Sequence, residues 1–174
     1  MPIWPFRRSQ ANADAARLLS AVTAASRKSD LFGAGRATDT LAGRFELMTL
    51  NASLALFRLR AEPGLAPLAQ AFTDQLFRQF DAGLREEGVG DTSVPKRMHR
   101  MAGDFYGRLA AYTTAIGAHD QGALAAAIGR NVLGDEAHPF AARLAVMVSA
   151  TAERQAAAPV EALLHADGWT ATAP

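Results

Sequence analysis

Four histidines are the first candidates for chemistry in this chain: His99, His119, His138 and His165. None belongs to an HExxH pair or a similar ligand spacing. His138 precedes Pro139 and stands near Asp135 and Glu136, which reads as an ordinary polar turn rather than a metal site. His99 lies between Met98 and Met101, residue types that can ligate haem iron. The two methionines fall on an apolar helical stripe, so core packing accounts for them better. Cysteine is absent, which removes disulfides, zinc–thiolate sites and a thiol nucleophile. Gly33-Ala34-Gly35 and Gly88-Val89-Gly90 look superficially like phosphate loops. Neither follows a strand or extends to GxGxxG or GxxxxGK[ST]. No GxSxG occurs, and no two carboxylates stand out as an acid–base couple. These residues point to binding rather than catalysis, with no cofactor.

Two segments carry more than a scaffold needs. In Asp39-Thr40-Leu41-Ala42-Gly43-Arg44-Phe45-Glu46, a glycine costing ~1 kcal/mol relative to alanine sits inside a predicted helix. It would let another helix approach closely. Arg44 and Glu46 stand on a helix expected to be central, where charges need partners. The alternative is that both project from its exposed start. The second segment runs from Asp91 to Tyr112. Gly103 and Gly107 sit one turn apart, a notch for another helix. Lys96, Arg97, Arg100 and Arg108 edge it with positive charge, and Tyr106 is a possible anchor. A merely solvated basic face is the plainer reading of such a run.

The elements that would hold these segments are helical. Of 174 residues, 39 are alanine, against 7 valine and 3 isoleucine, and alanine loses no side-chain entropy in a helix. With 49% hydrophobic residues the chain can bury a core. A first helix is expected from about Asn12 to Lys28. A second, apolar on two faces and therefore central, runs from an Asp39 cap to about Arg60. The third covers about Leu65–Glu87 through Leu65, Leu68, Phe72, Leu76, Phe80 and Leu84. The fourth is capped by Thr92 or Ser93, has Pro95 in its first turn, and buries Val94, Met98, Met101, Phe105, Leu109, Tyr112 and Ile116. Weaker segments follow at about Asp120–Val132, Pro139–Gln155 and Val160–His165. The expectation is all-α: one compact, non-repeating bundle of about six or seven helices over residues 12–167. Residues 1–11 read as a flexible segment and 168–174 as a frayed tail.

The net charge of +1 gives no reason to expect DNA. The basic residues are concentrated near the N-terminus and in residues 94–108, on an otherwise slightly acidic body. No stretch approaches the ~20 apolar residues of a membrane span. The N-terminus lacks the pattern of a signal peptide, so the chain reads as cytoplasmic. Ile3, Trp4, Phe6, Arg7 and Arg8 combine rings and cations as a membrane interface requires, which would allow peripheral contact at the inner membrane.

Asp39 through Glu46, followed by a leucine-rich helix ending Phe57-Arg58-Leu59, resembles one signature of the ubiquinol–cytochrome c chaperone family. Gly88-Val89-Gly90-Asp91, Val94, Lys96 and Phe105-Tyr106-Gly107-Arg108 with Tyr112 resemble the other. Their order and separation also match, over roughly residues 12–155. Where the family would place a histidine in the leucine-rich helix, this chain has Asn51. The resemblance implies an all-helical assembly factor for the cytochrome bc1 complex that binds newly made cytochrome b near the ribosome. A partner factor is a further possibility. Without a transit peptide the chain is expected to be a bacterial member. The alternatives carried from the residues alone are a ribosome- or RNA-binding module and a haem or small-molecule carrier.

Overall fold

The computed structural model describes residues 4–169. Six α-helices account for the fold: α1 (Trp4–Ser26), α2 (Leu41–Arg60), α3 (Ala66–Glu86), α4 (Val94–Gly117), α5 (Gln121–Ile128) and α6 (Pro139–Ala157). Short 3-10 turns join or follow them. No strand is formed among the described residues; the isolated bridge between Phe32 and Ala37 only ties off the α1–α2 loop. The expectation of a single non-repeating bundle of six or seven helices is met.

α2 is the hub. It packs against α1, α3, α4 and α6. Leu47, Leu50, Leu54, Leu56 and Leu59 are all nearly inaccessible, so both expected apolar faces are used. α3 buries Phe72, Leu76, Phe80 and Leu84 at four-residue steps. α4 buries Phe105, Leu109, Tyr112 and Ile116 on one side and exposes the other.

Helix ends depart from the sequence expectation in informative ways. α1 begins at Trp4 rather than Asn12, because Pro5 falls in its first turn, where the missing N–H has no intrahelical partner anyway. The proposed lipid contact through Ile3, Trp4, Phe6, Arg7 and Arg8 rests on side chains outside the described part of the structure. α2 is capped by Thr40, whose hydroxyl accepts from the Gly43 N–H at 3.2 Å, and not by Asp39. Ser93 flanks α4 without a side-chain capping bond. Asp120 caps α5, which passes into a π turn, Gly129–Leu133, in place of one helix running to Val132. His138 caps α6: its Nδ1 accepts from the Phe140 N–H at 3.1 Å, a structural use of that polar turn.

The end of the chain is stitched down. Trp169 is 3% exposed, and its indole N–H donates to the Leu163 carbonyl at 2.9 Å. The Lys28 ammonium donates to the Trp169 carbonyl. Gly168 passes so close to Ala162 that a Cβ would lie 2.2 Å from its carbonyl oxygen. Gly168 and Trp169, assigned to a frayed tail from the sequence, are therefore packed; 170–174 lie outside the described residues. Truncating Trp169 to alanine is expected to destabilise the fold by about 3–5 kcal/mol, as for other buried tryptophans, in a urea titration followed by circular dichroism.

Candidate functional site

The two signature segments meet across the α2–α4 contact through one ion pair. Arg108 donates from Nε and Nη2 to the two carboxylate oxygens of Glu46 at 2.6 and 2.7 Å. The side chains are only 19% and 12% exposed. This fork-to-fork geometry is the strongest form a carboxylate–guanidinium contact takes. Asp104, one turn back on α4, approaches Arg108 at 3.3 Å. The Arg108 guanidinium also lies 5.8 Å from the Phe45 ring centre. Burial pushes the Glu46 carboxyl above its ordinary 4.5, with Asp104 adding to the effect and Arg108 opposing it. Arg108, expected on the cationic rim, is instead neutralised by its own chain.

The first segment divides similarly. Arg44 points outward and pairs with Asp39 at 2.7 Å, both more than half exposed. That hydrogen bond holds the Asp39 carboxyl below its usual range. Arg44 and Glu46 thus answer the sequence alternative separately, one projecting and one buried. Gly43 is buried, and what lies nearest to it is a loop. A Cβ there would lie 1.9 Å from the Thr38 carbonyl oxygen, so the glycine admits the chain's own preceding loop. Asp91 is exposed and accepts from Arg85, which also holds Asp81.

From Phe45 inward runs a ladder of rings. Phe45 packs on Phe80 at 5.0 Å between centres, Phe80 on Phe77 at 5.7 Å, and Phe77 on Phe105 at 5.3 Å. Phe77 stacks on Tyr106 at 6.0 Å, and Tyr106 is 52% exposed. The ladder therefore starts beside the buried ion pair and ends in solvent. The open end faces a groove of about 350 Å³ that includes Pro63, Ala66, Ala69 and Thr73. Sequence reading missed Phe77. Its signal was an aromatic standing beside Leu76 but off the apolar stripe of α3.

The exposed face of α4 completes the site. At about 100° per residue, Lys96, Arg100, Gly103, Gly107, Ala110 and Thr114 share that face. All six are exposed, and a Cβ built on Gly103 or Gly107 meets nothing within 4 Å. Arg97 flanks the stripe. Among the described residues none of Lys96, Arg97 and Arg100 forms an ion pair. The first turn of α4 holds no acidic residue. Cations at a helix N-terminus oppose the macrodipole, so these are poorly placed for stability. The structure leaves Lys96, Arg97, Arg100, Tyr106 and Gly107 available, while Gly43, Phe45, Glu46 and Arg108 serve the interior.

A family model described as ubiquinol-cytochrome C chaperone matches residues 34–170. The chain belongs to the ubiquinol–cytochrome c chaperone family. It is similar to the crystal structure of the Cbp3 homolog from Brucella abortus, at 40% sequence identity over 96% of this chain and 94% of that one, with a TM-score of 0.80. No protein of curated function matches it. In this chaperone, Asn51 donates to the Ser26 hydroxyl at 3.1 Å and the Leu47 carbonyl at 3.0 Å, tying α2 to α1. Its part is structural.

The raised Glu46 value fixes a sign. Folded chaperone holds the Glu46 proton more tightly than unfolded chain does, so this contribution is full below about pH 4.5. It is lost as pH rises through the higher folded value. Glu46→Gln is expected to remove that part of the pH dependence. Urea titrations of both proteins at steps from pH 4.5 to 7 check it; parallel curves would contradict the assignment.

Proposed function

We propose that the protein is an assembly chaperone of the cytochrome bc1 complex that holds newly made cytochrome b on the exposed face of α4. The observation that carries this reading is the pairing of family membership with an accessible, unpaired cationic and glycine-notched helix face. Small residues on a helix let a second helix approach closely, the mode by which membrane helices pack. Tyr106, rooted on Phe77, supplies a rigid aromatic anchor of the type favoured at interface hot spots. Lys96, Arg97 and Arg100 steer the approach and meet acidic groups of the client. No helix among the described residues is long and apolar enough to cross a membrane. The chaperone works from the cytoplasmic side, meets its client as it is made, and needs no cofactor or catalytic step.

Deleting the gene is expected to lower assembled bc1 complex, seen on native gels, while its transcripts stay normal. Unchanged complex would sink the reading. Reversing Lys96, Arg97 and Arg100 together to Glu is expected to reduce recovery of cytochrome b in a pull-down. Stability should change by no more than about 0.5 kcal/mol per site, since all three are exposed and unpaired.

The same three cations support a second reading, contact with ribosomal RNA. Phosphate contacts weaken steeply with salt. Ribosome co-sedimentation that resists 0.5 M salt, a concentration about three times the physiological level, excludes it.

A further inference from the structure

A half-open cavity of about 380 Å³ lies among α1, α2, α3 and α4 and shares the Phe45 ring with the ladder. Its floor is apolar: Leu41, Phe45, Met48, Phe80 and Met101. Phe45 and Phe80 are fixed by the ring ladder, whereas the two methionines can reshape the wall around different contents. The volume falls in the range of ligand pockets and has room for more than one apolar side chain.

The rim decides the occupant. Arg27 and Arg44 stand there with Glu86 and Glu87, all four exposed. Among the described residues Arg27 and Glu86 form no ion pair. A nucleic-acid or anionic-lipid ligand would bring phosphates against both glutamates. A polypeptide offers groups of either sign to such a rim and apolar side chains to the floor. We propose that this cavity is a capture pocket for leucine, methionine or phenylalanine side chains of the client, separate from the α4 stripe. The proposal rests on the client-binding reading above.

Gly83 gives a clean test. It lines the pocket from inside α3, and a Cβ there meets only the Leu41 Cδ1, at an ordinary 3.8 Å. Leucine at this position projects into the cavity, takes up part of its volume and has better helix propensity than glycine. Full-length Gly83→Leu should therefore melt no lower than wild type. It should bind cytochrome b, synthesised cell-free as the probe, at least about tenfold more weakly, the loss expected when a buried anchor is excluded. A photo-crosslinking side chain at Ala82, on the pocket wall, should trap that cytochrome b, and one at Ala142, on the exposed side of α6, should not. Wild-type affinity in Gly83→Leu, with binding lost in the Lys96, Arg97 and Arg100 charge reversal, overturns the pocket and leaves the chaperone reading standing. Crosslinks from position 82 to RNA, lipid or a second copy also overturn it. If wild-type protein binds no cytochrome b, both readings fall.

Discussion

The clamp between Glu46 and Arg108 is the constraint around which the rest of this structure is arranged. It joins the second turn of α2 to the middle of α4 across 62 residues of sequence, with both charges largely withdrawn from water. Two such groups leave water at considerable expense, and an ion pair offsets that only when geometry is close to ideal. Here each nitrogen of the guanidinium has a carboxylate oxygen within 3.3 Å, from Glu46 or Asp104, and the Phe45 ring lies close by. The pair therefore fixes the register of α2 against α4 more sharply than apolar contacts would. With that register set, Phe45 reaches Phe80, Phe105 reaches Phe77, and Tyr106 is delivered to the surface with its ring supported.

A division of labour follows within each signature segment. Residues of one polarity and spacing do opposite jobs according to the side of the helix they fall on. Arg108 neutralises a buried carboxylate, while Lys96 and Arg100, facing away from the core, neutralise nothing in the described chain. Gly43 makes room for the Thr38 carbonyl, while Gly103 and Gly107 make room for nothing among the described residues. An unfilled notch and an unmatched charge are both small local sacrifices of stability. Their coincidence on one face of one helix is what the proposed client surface rests on.

The fold was legible because its signal is strong. Alanine excess and the stripes of α3 and α4 gave helix number and approximate extent, and α2's two apolar faces gave its central place. What the sequence could not supply was direction. Arg44, Glu46 and Arg108 look alike as charges near glycines, and only the packing of α2 on α4 tells which turns inward. Thr40 and Asp39 compete for the same cap; Asp39 is drawn off by Arg44, five residues on, a choice decided by loop geometry. Residues 1–11 were expected to be flexible, yet α1 starts at Trp4, where Pro5 is tolerated in a first turn. The cavity walled by Thr23, Met48, Gly83 and Met101 draws on four helices, and no local pattern announces such a convergence.

The docking of Trp169 beside Lys28 has a consequence for how the molecule comes into being. α1 is packed in part by the closing turns, Val160–Leu164 and Ala166–Trp169. Synthesis delivers α1 before those turns. Until Val160–Leu164 and Ala166–Trp169 have left the ribosome, one flank of α1 waits uncovered and the bundle stays open there. A helix whose covering lies so far along the chain is, while being made, itself in need of shelter.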